Sequence, residues 1–164
     1  MRDHYATWHV EPVRWGDMDA YGHVNNAKYF TYCESARMLY FQRIRLDEAS
    51  AEESAAAGAE APDSGPPAFG PALVQADLNF RRQVHYPAVL EVGVRATKVG
   101  TKSFTLEYVV ARREQADVHA VDAALDPAPV ADGSSVVVWV DYRRGASAPL
   151  PDALAERIRS LDSL

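Results

Sequence analysis

Only one cysteine, Cys33, occurs in the 164 residues, so no internal disulfide can form. Such scarcity fits a reducing compartment, and a cytoplasmic location is expected. Long apolar runs are missing as well; none approaches the roughly 18 consecutive apolar residues of a membrane span. The opening MRDHYATWHVEP has no apolar signal core and reads as a strand, so no signal peptide is expected. Positive charge is the minority: 17 Lys and Arg against 23 Asp and Glu leave a formal charge of −6. A protein whose whole surface grips nucleic acid is therefore not expected, although a local basic patch for an anionic ligand stays open. The chain has no G-x-S-x-G elbow, no Ser-His-Asp order and no glycine-rich phosphate loop, which sets aside serine hydrolases and P-loop chemistry.

What is present is 48% apolar residues and 24% charged ones, as in a globular protein, over a length that suits one domain with a sizeable core. Residues 5–15, YATWHVEPVRW, are rich in aromatic and β-branched residues and read as a strand, with Pro12 marking an edge or a bulge. From Ala27 the period changes. Tyr29, Cys33, Ala36, Tyr40 and Ile44 recur at steps of four and three, one face of a long helix, with Phe30, Leu39 and Phe41 widening its apolar surface. Asn25 or Asn26 stands where an N-cap belongs. Residues 47–70 are rich in Ala, Glu, Gly and Pro; their first part could extend the helix, and the segment as a whole is expected to be a long loop.

Beyond it the period falls to two in LVQADLNFRR, AVLEVGVRATKV, KSFTLEYVVARR and SSVVVWVDYRR, four strands in succession, with a tight hairpin expected at Val99-Gly100-Thr101. Residues 114–133 form a second long connection, and Leu154, Ile158 and Leu161 share one side of a short closing helix. The order predicts a single α+β domain over residues 1–164, one long helix against a mostly antiparallel sheet. Val137 and Trp139 lie opposite Val136, Val138 and Val140, so an apolar partner is expected on both faces of the last strand.

The run WGDMDAYGHVNNAKY, residues 15–29, concentrates the polar chemistry. Asp17, Asp19 and Gly22 match the start of a calcium loop, but the twelfth position, which must be acidic, is Lys28. A transition-metal site from Asp17, Asp19 and His23 lacks further ligands in the usual pattern, so no metal is expected. Phosphoryl transfer through D-x-D is disfavoured by Tyr21 where a threonine commonly follows. Capping alone accounts for part of the run, since Asp, Gly and Asn suit a strand-to-helix turn. Two carboxylates, a histidine and two asparagines before one helix also suit acyl transfer. The helix N-terminus offers N–H donors and a partial positive charge to an oxyanion, and a carboxylate beside it can attack a carbonyl or activate water. Cys33, inside the helix on its apolar face, reads as core.

Residues 14–37, RWGDMDAYGHVNNAKYFTYCESAR, resemble the hotdog-fold acyl-CoA thioesterases of the 4-hydroxybenzoyl-CoA thioesterase type. The matching features are R-W-x-D-x-D-x-x-G-H-V-N-N, Tyr29, and E-x-A-R at Glu34 to Arg37; a looser match continues through ADLNFRRQVHYPAVLEVGVRATKVGTKSFTLEY. The resemblance implies a hotdog fold, a long helix wrapped by an antiparallel sheet, and hydrolysis of an acyl-CoA to free acid and CoA without a further cofactor. It also implies a homodimer or homotetramer with joined sheets and sites at the interface.

It further implies Asp17 as nucleophile or general base, with Asp19 as the rival, because related acyl-carrier-protein thioesterases place the carboxylate there. His23 would orient water or the carboxylate, or simply serve the turn by packing on Tyr29. Asn26 would bind the carbonyl or water, or cap the helix. Backbone amides from Val24 through Asn25 to Ala27 are oxyanion candidates. Glu34 is read first as an ion pair with Arg37 and held in reserve as a catalytic carboxylate. Arg81, Arg82, Lys102 and Ser103 are candidates for the CoA phosphates, with Arg143 and Arg144 as further options. Two other readings of the same fold remain: a non-catalytic acyl-CoA-binding module, and a dehydratase or hydratase.

Overall fold

The computed structural model of the chain describes residues 1–59, 67–114 and 124–164. Strand β1 covers Thr7–Pro12 and is followed by a 3-10 turn at Trp15–Asp17. Helix α1 covers Asn26–Arg43 and helix α2 Leu46–Ala56. Strands β2 (Phe69–Phe80), β3 (Val89–Val99), β4 (Ser103–Arg112), β5 (Ala131–Asp141) and the short β6 (Ala146–Ser147) follow, and α3 (Asp152–Asp162) closes the order. The strand order is β1-β3-β4-β5-β2, with β6 on β5. β1 runs antiparallel to β3, pairing Thr7 with Val94 through Pro12 with Val89. Pro12, which lacks an N–H, thus sits on an edge strand, where the missing donor costs least. No helix among the described residues is long and apolar enough to cross a membrane.

The chain groups into two compact units. The first comprises Met1–Leu39, Asp77–Arg95 and Glu107–Ser134. In it, Tyr29, Cys33 and Ala36 are buried at the four- and three-residue spacing of the sequence, and each large side chain so removed from water contributes about 1.5–3 kcal/mol. Phe30, expected to widen the apolar face, is instead 42% exposed. Gly93 of β3 lies under Trp8, where an added Cβ would stand 2.9 Å from the indole. Beside it Glu91, buried, accepts from Arg113 Nε at 2.6 Å and from Arg2 at 2.7 and 2.8 Å, so its charge is compensated as burial demands.

The second unit comprises Tyr40–Ala76, Ala96–Leu106 and Ser135–Leu164. Leu154 and Ile158 bury the apolar side of α3, and Asp162 at its end accepts from the Tyr40 hydroxyl at 2.6 Å and the Ala96 amide at 2.8 Å. The expected loop 47–70 is corrected here: its first part is α2, a separate helix rather than an extension of α1. Arg45 breaks the path by adopting the left-handed conformation (φ 53°, ψ 49°). Nothing in the composition announces that turn, because glycine is the usual residue there. Phe69 begins β2 and Ala131 begins β5, which shortens both expected loops; 60–66 and 115–123 lie outside the described residues. On β5, Val137 and Trp139 are buried while Val136, Val138 and Val140 are half-buried. On β2, Leu73 and Val74 are 47% and 59% exposed.

Candidate active site

Asp17 ends the 3-10 turn, and its carboxylate is bound back to the residue that starts it. Oδ2 accepts from the Arg14 amide at 2.9 Å, Arg14 Nε at 3.1 Å and the Tyr32 hydroxyl at 2.9 Å. Oδ1 has Lys28 Nζ at 3.6 Å. The Asp17 carbonyl accepts from the Asn25 amide, tying the turn to the start of α1. The side chain is 2% exposed. Burial pushes its pKa up, but the Arg14 amide and guanidinium and the Tyr32 hydroxyl outweigh it, so the carboxyl titrates below its ordinary range and is ionised at neutral pH. Tyr32 is fully buried; burial and the adjacent Asp17 raise its pKa, leaving the phenol a donor.

Asp19 serves a different loop. Its Oδ1 accepts from the amides of Tyr21 (2.8 Å) and His23 (3.3 Å), and its own amide donates to the His23 carbonyl at 2.7 Å. Gly22 closes this loop at φ +78°, a conformation that glycine adopts without a Cβ clash. Asn25 is the N-cap of α1: its Oδ1 accepts from the Ala27 amide at 2.9 Å. Val24 donates to the Val84 carbonyl.

These bonds narrow the expected oxyanion donors. The amides of Val24, Asn25 and Ala27 are all engaged within the chain, so as donors to a ligand they are corrected. The Asn26 amide, at the first helical position, has no intramolecular acceptor among the described residues.

A cavity of about 240 Å³ opens beside the helix start. Asp19, His23 and Asn26 line it from one side, and Tyr29 and Phe80, in edge contact at 5.4 Å, form an apolar wall. Arg81 and Arg82, the expected candidates for CoA phosphates, also line the cavity, but both are paired. Arg81 grips Asp132 with two nitrogens; Arg82 holds Asp126 at 2.8 Å and the Ala128 carbonyl. Asp17 is not among the lining residues.

Lys102 and Ser103 belong to the second unit and do not line this cavity; Lys102 Nζ lies 3.4 Å from Ser147 Oγ. Arg143 and Arg144 are in that unit as well, both against Asp141. Glu34 lies 4.0 Å from Arg37 and is mostly exposed. Cys33 is buried, which pushes its thiol up to about 12 and leaves it un-ionised near neutrality. Among the described residues no three His, Cys, Asp or Glu side chains are grouped to hold a metal ion.

Sequence reasoning missed His85. Its Nδ1 lies 2.9 Å from the Gly22 carbonyl, and its ring meets that of His23 at 4.8 Å, inclined by 60°. His23 thus packs on this imidazole, a neighbour 62 residues away that no local pattern reveals.

A family model of the thioesterase-like superfamily matches residues 13–158, and the chain belongs to that superfamily. It is a thioester hydrolase with the hotdog fold. Among solved structures it is similar to the PA2801 protein of Pseudomonas aeruginosa, at 30% identity and a TM-score of 0.71, over 94% of this chain and 98% of that one. It is also similar to a thioesterase of Thermus thermophilus solved with coenzyme A and zinc, at 30% identity and a TM-score of 0.71, over 99% and 98% of the two chains. The uncharacterized protein YsmA of Bacillus subtilis (strain 168) is 23% identical over 146 residues, 89% of this chain and 80% of that one.

Proposed function

We propose that the chain is an acyl-CoA thioesterase of the 4-hydroxybenzoyl-CoA thioesterase type, with Asp17 as its catalytic carboxylate. The observation that carries this assignment is the asymmetry of the Asp17 carboxylate. Oδ2 accepts three hydrogen bonds from Arg14 and Tyr32, while among the described residues Oδ1 has the Lys28 ammonium at 3.6 Å and no hydrogen bond. A carboxyl titrating below its ordinary range is a weak base toward water but is ionised and fixed in place, which suits a nucleophile. Oδ1 attacks the thioester carbonyl; the C–S bond breaks, the CoA thiolate departs and takes a proton from solvent, and water hydrolyses the mixed anhydride to release the acid and restore the carboxylate. The Asn26 amide and the dipole of α1 stabilise the oxyanion. His23, on the cavity wall, orients the water of the second step.

CoA is part of the substrate, and no further cofactor is needed. The structure of the similar Thermus thermophilus thioesterase with coenzyme A supports CoA as the carrier. The working form is a cytoplasmic homodimer or homotetramer. The exposed Leu73 and Val74 on edge strand β2 supply the apolar seam along which a second copy joins its sheet.

A second assignment has its own observation in favour: Asp19, not Asp17, lines the cavity. Thiol release from a panel of aromatic, short and long acyl-CoAs, with Asp17→Asn and Asp19→Asn, tests both. Loss of turnover confined to Asp17→Asn supports the first, and loss confined to Asp19→Asn supports the second. Tight acyl-CoA binding without thiol release by the parent protein makes it a binding module instead.

A further inference from the structure

We propose that His85 is a positioning residue for this reaction: its imidazole holds the Gly22 carbonyl and braces the His23 ring, fixing how His23 faces the cavity. The inference rests on the thioesterase reading, and on three pieces of geometry. A carbonyl oxygen only accepts, so at 2.9 Å from Gly22 O the His85 Nδ1 carries the hydrogen. The lone pair of the neutral ring is then at Nε2, and protonation there leaves the Nδ1 bond intact.

Second, the His23 backbone is already fixed through both of its polar groups by Asp19, so the freedom that remains is the rotation of its side chain. The His85 ring, 4.8 Å away, is the aromatic neighbour that restricts it. Third, His23 is half-buried and lines the cavity beside Asn26, whereas His85 is exposed and outside that lining. His85 therefore acts through His23 rather than on the substrate. Removing it should spare the fold, because the two loops stay joined by the Val24 amide and the Val84 carbonyl.

The test uses the full chain with an acyl-CoA that the parent hydrolyses, comparing His85→Ala, His85→Asn, His23→Ala and the His23→Ala/His85→Ala double variant. His85→Ala is expected to lower kcat about tenfold with KM nearly unchanged, as a misaligned group does. His85→Asn, whose amide N–H can still reach Gly22 O but which has no ring to brace His23, is expected to lose nearly as much, and full recovery of kcat in it would overturn the bracing role. The double variant should be no slower than His23→Ala, since the two act as one unit. Nitrogen-15 NMR of the imidazoles should show His85 protonated at Nδ1, and His23 signals displaced in His85→Ala. Parental kcat in His85→Ala, additive losses in the double variant, or a His85 ring protonated only at Nε2 each overturn the proposal. Asp17→Asn, run alongside, separates the two failures: parental turnover in that variant sinks the Asp17 assignment, while the imidazole spectra still decide on His85.

Discussion

Asp17 and Asp19 stand two positions apart in the chain and occupy opposite surroundings. Asp17 is buried, with the Arg14 and Tyr32 side chains bonded to Oδ2 and the Lys28 ammonium beside Oδ1. Asp19 is half-buried, accepts from two backbone amides of its own loop, and lines the cavity. Intensity of contact and access to the cavity therefore fall on different carboxylates. A buried, ionised group held by cations is chemically prepared, while a loop carboxylate with an open side is sterically available. Locating the cavity-facing carboxylate does not by itself locate the chemistry.

The largest effect that separates the two is turnover. Asp17→Asn should lower kcat by about 10²–10⁴, the range of a positioned acid–base or nucleophilic carboxylate, and Asp19→Asn by much less; steady-state thiol release reads both. The reverse ranking would hand the chemistry to Asp19.

Next comes stability at Asp17. Tyr32→Phe removes the buried hydroxyl that bonds the carboxylate and should cost about 1–2 kcal/mol in urea unfolding. Asp19→Ala, losing two loop amide bonds of cap type, should cost about 1 kcal/mol.

Acid unfolding sharpens the contrast further. The Asp17 carboxyl titrates lower in the folded chain than in the unfolded one. The stability it contributes is present above about pH 4 and is lost as pH falls through its folded pKa. The gap in urea midpoint between the parent and Asp17→Asn should therefore narrow as pH is lowered toward 3. The smallest effect is expected at Glu34, whose carboxylate is mostly exposed and 4.0 Å from Arg37; Glu34→Gln should stay within about 0.5 kcal/mol of the parent.

The sequence made legible whatever is encoded by short-range periodicity. Tyr29, Cys33, Ala36 and Tyr40 of the expected stripe are buried on α1, Ile44 is buried in the turn just past its end, and each alternating run became a strand. The Gly100 hairpin connects β3 to β4 as its spacing suggested. What escaped acts across the chain. Arg81 and Arg82 looked like available cations, but Asp132 and Asp126, some 50 residues on, already hold them. The amides near Asn25 looked available until Val84 and the Asp17 carbonyl were seen to accept from them. His85 was invisible because its two partners, Gly22 and His23, lie on a loop more than 60 residues earlier. Arg45 escaped for another reason, since a left-handed turn made without glycine leaves no mark in composition.

The strand order has a consequence for how far growth by strand addition can go. One border of the sheet is β1, which ends in Pro12 and so withholds a donor; the other is β2, with Leu73 and Val74 uncovered. Along the main strand path of the described residues, joining two copies through β2 leaves β1 at the outward borders, where proline discourages another strand. Such a contact is self-complementary and uses up its own valence, so it closes at a pair instead of propagating into a filament. Any larger assembly must then stack such pairs through some other surface.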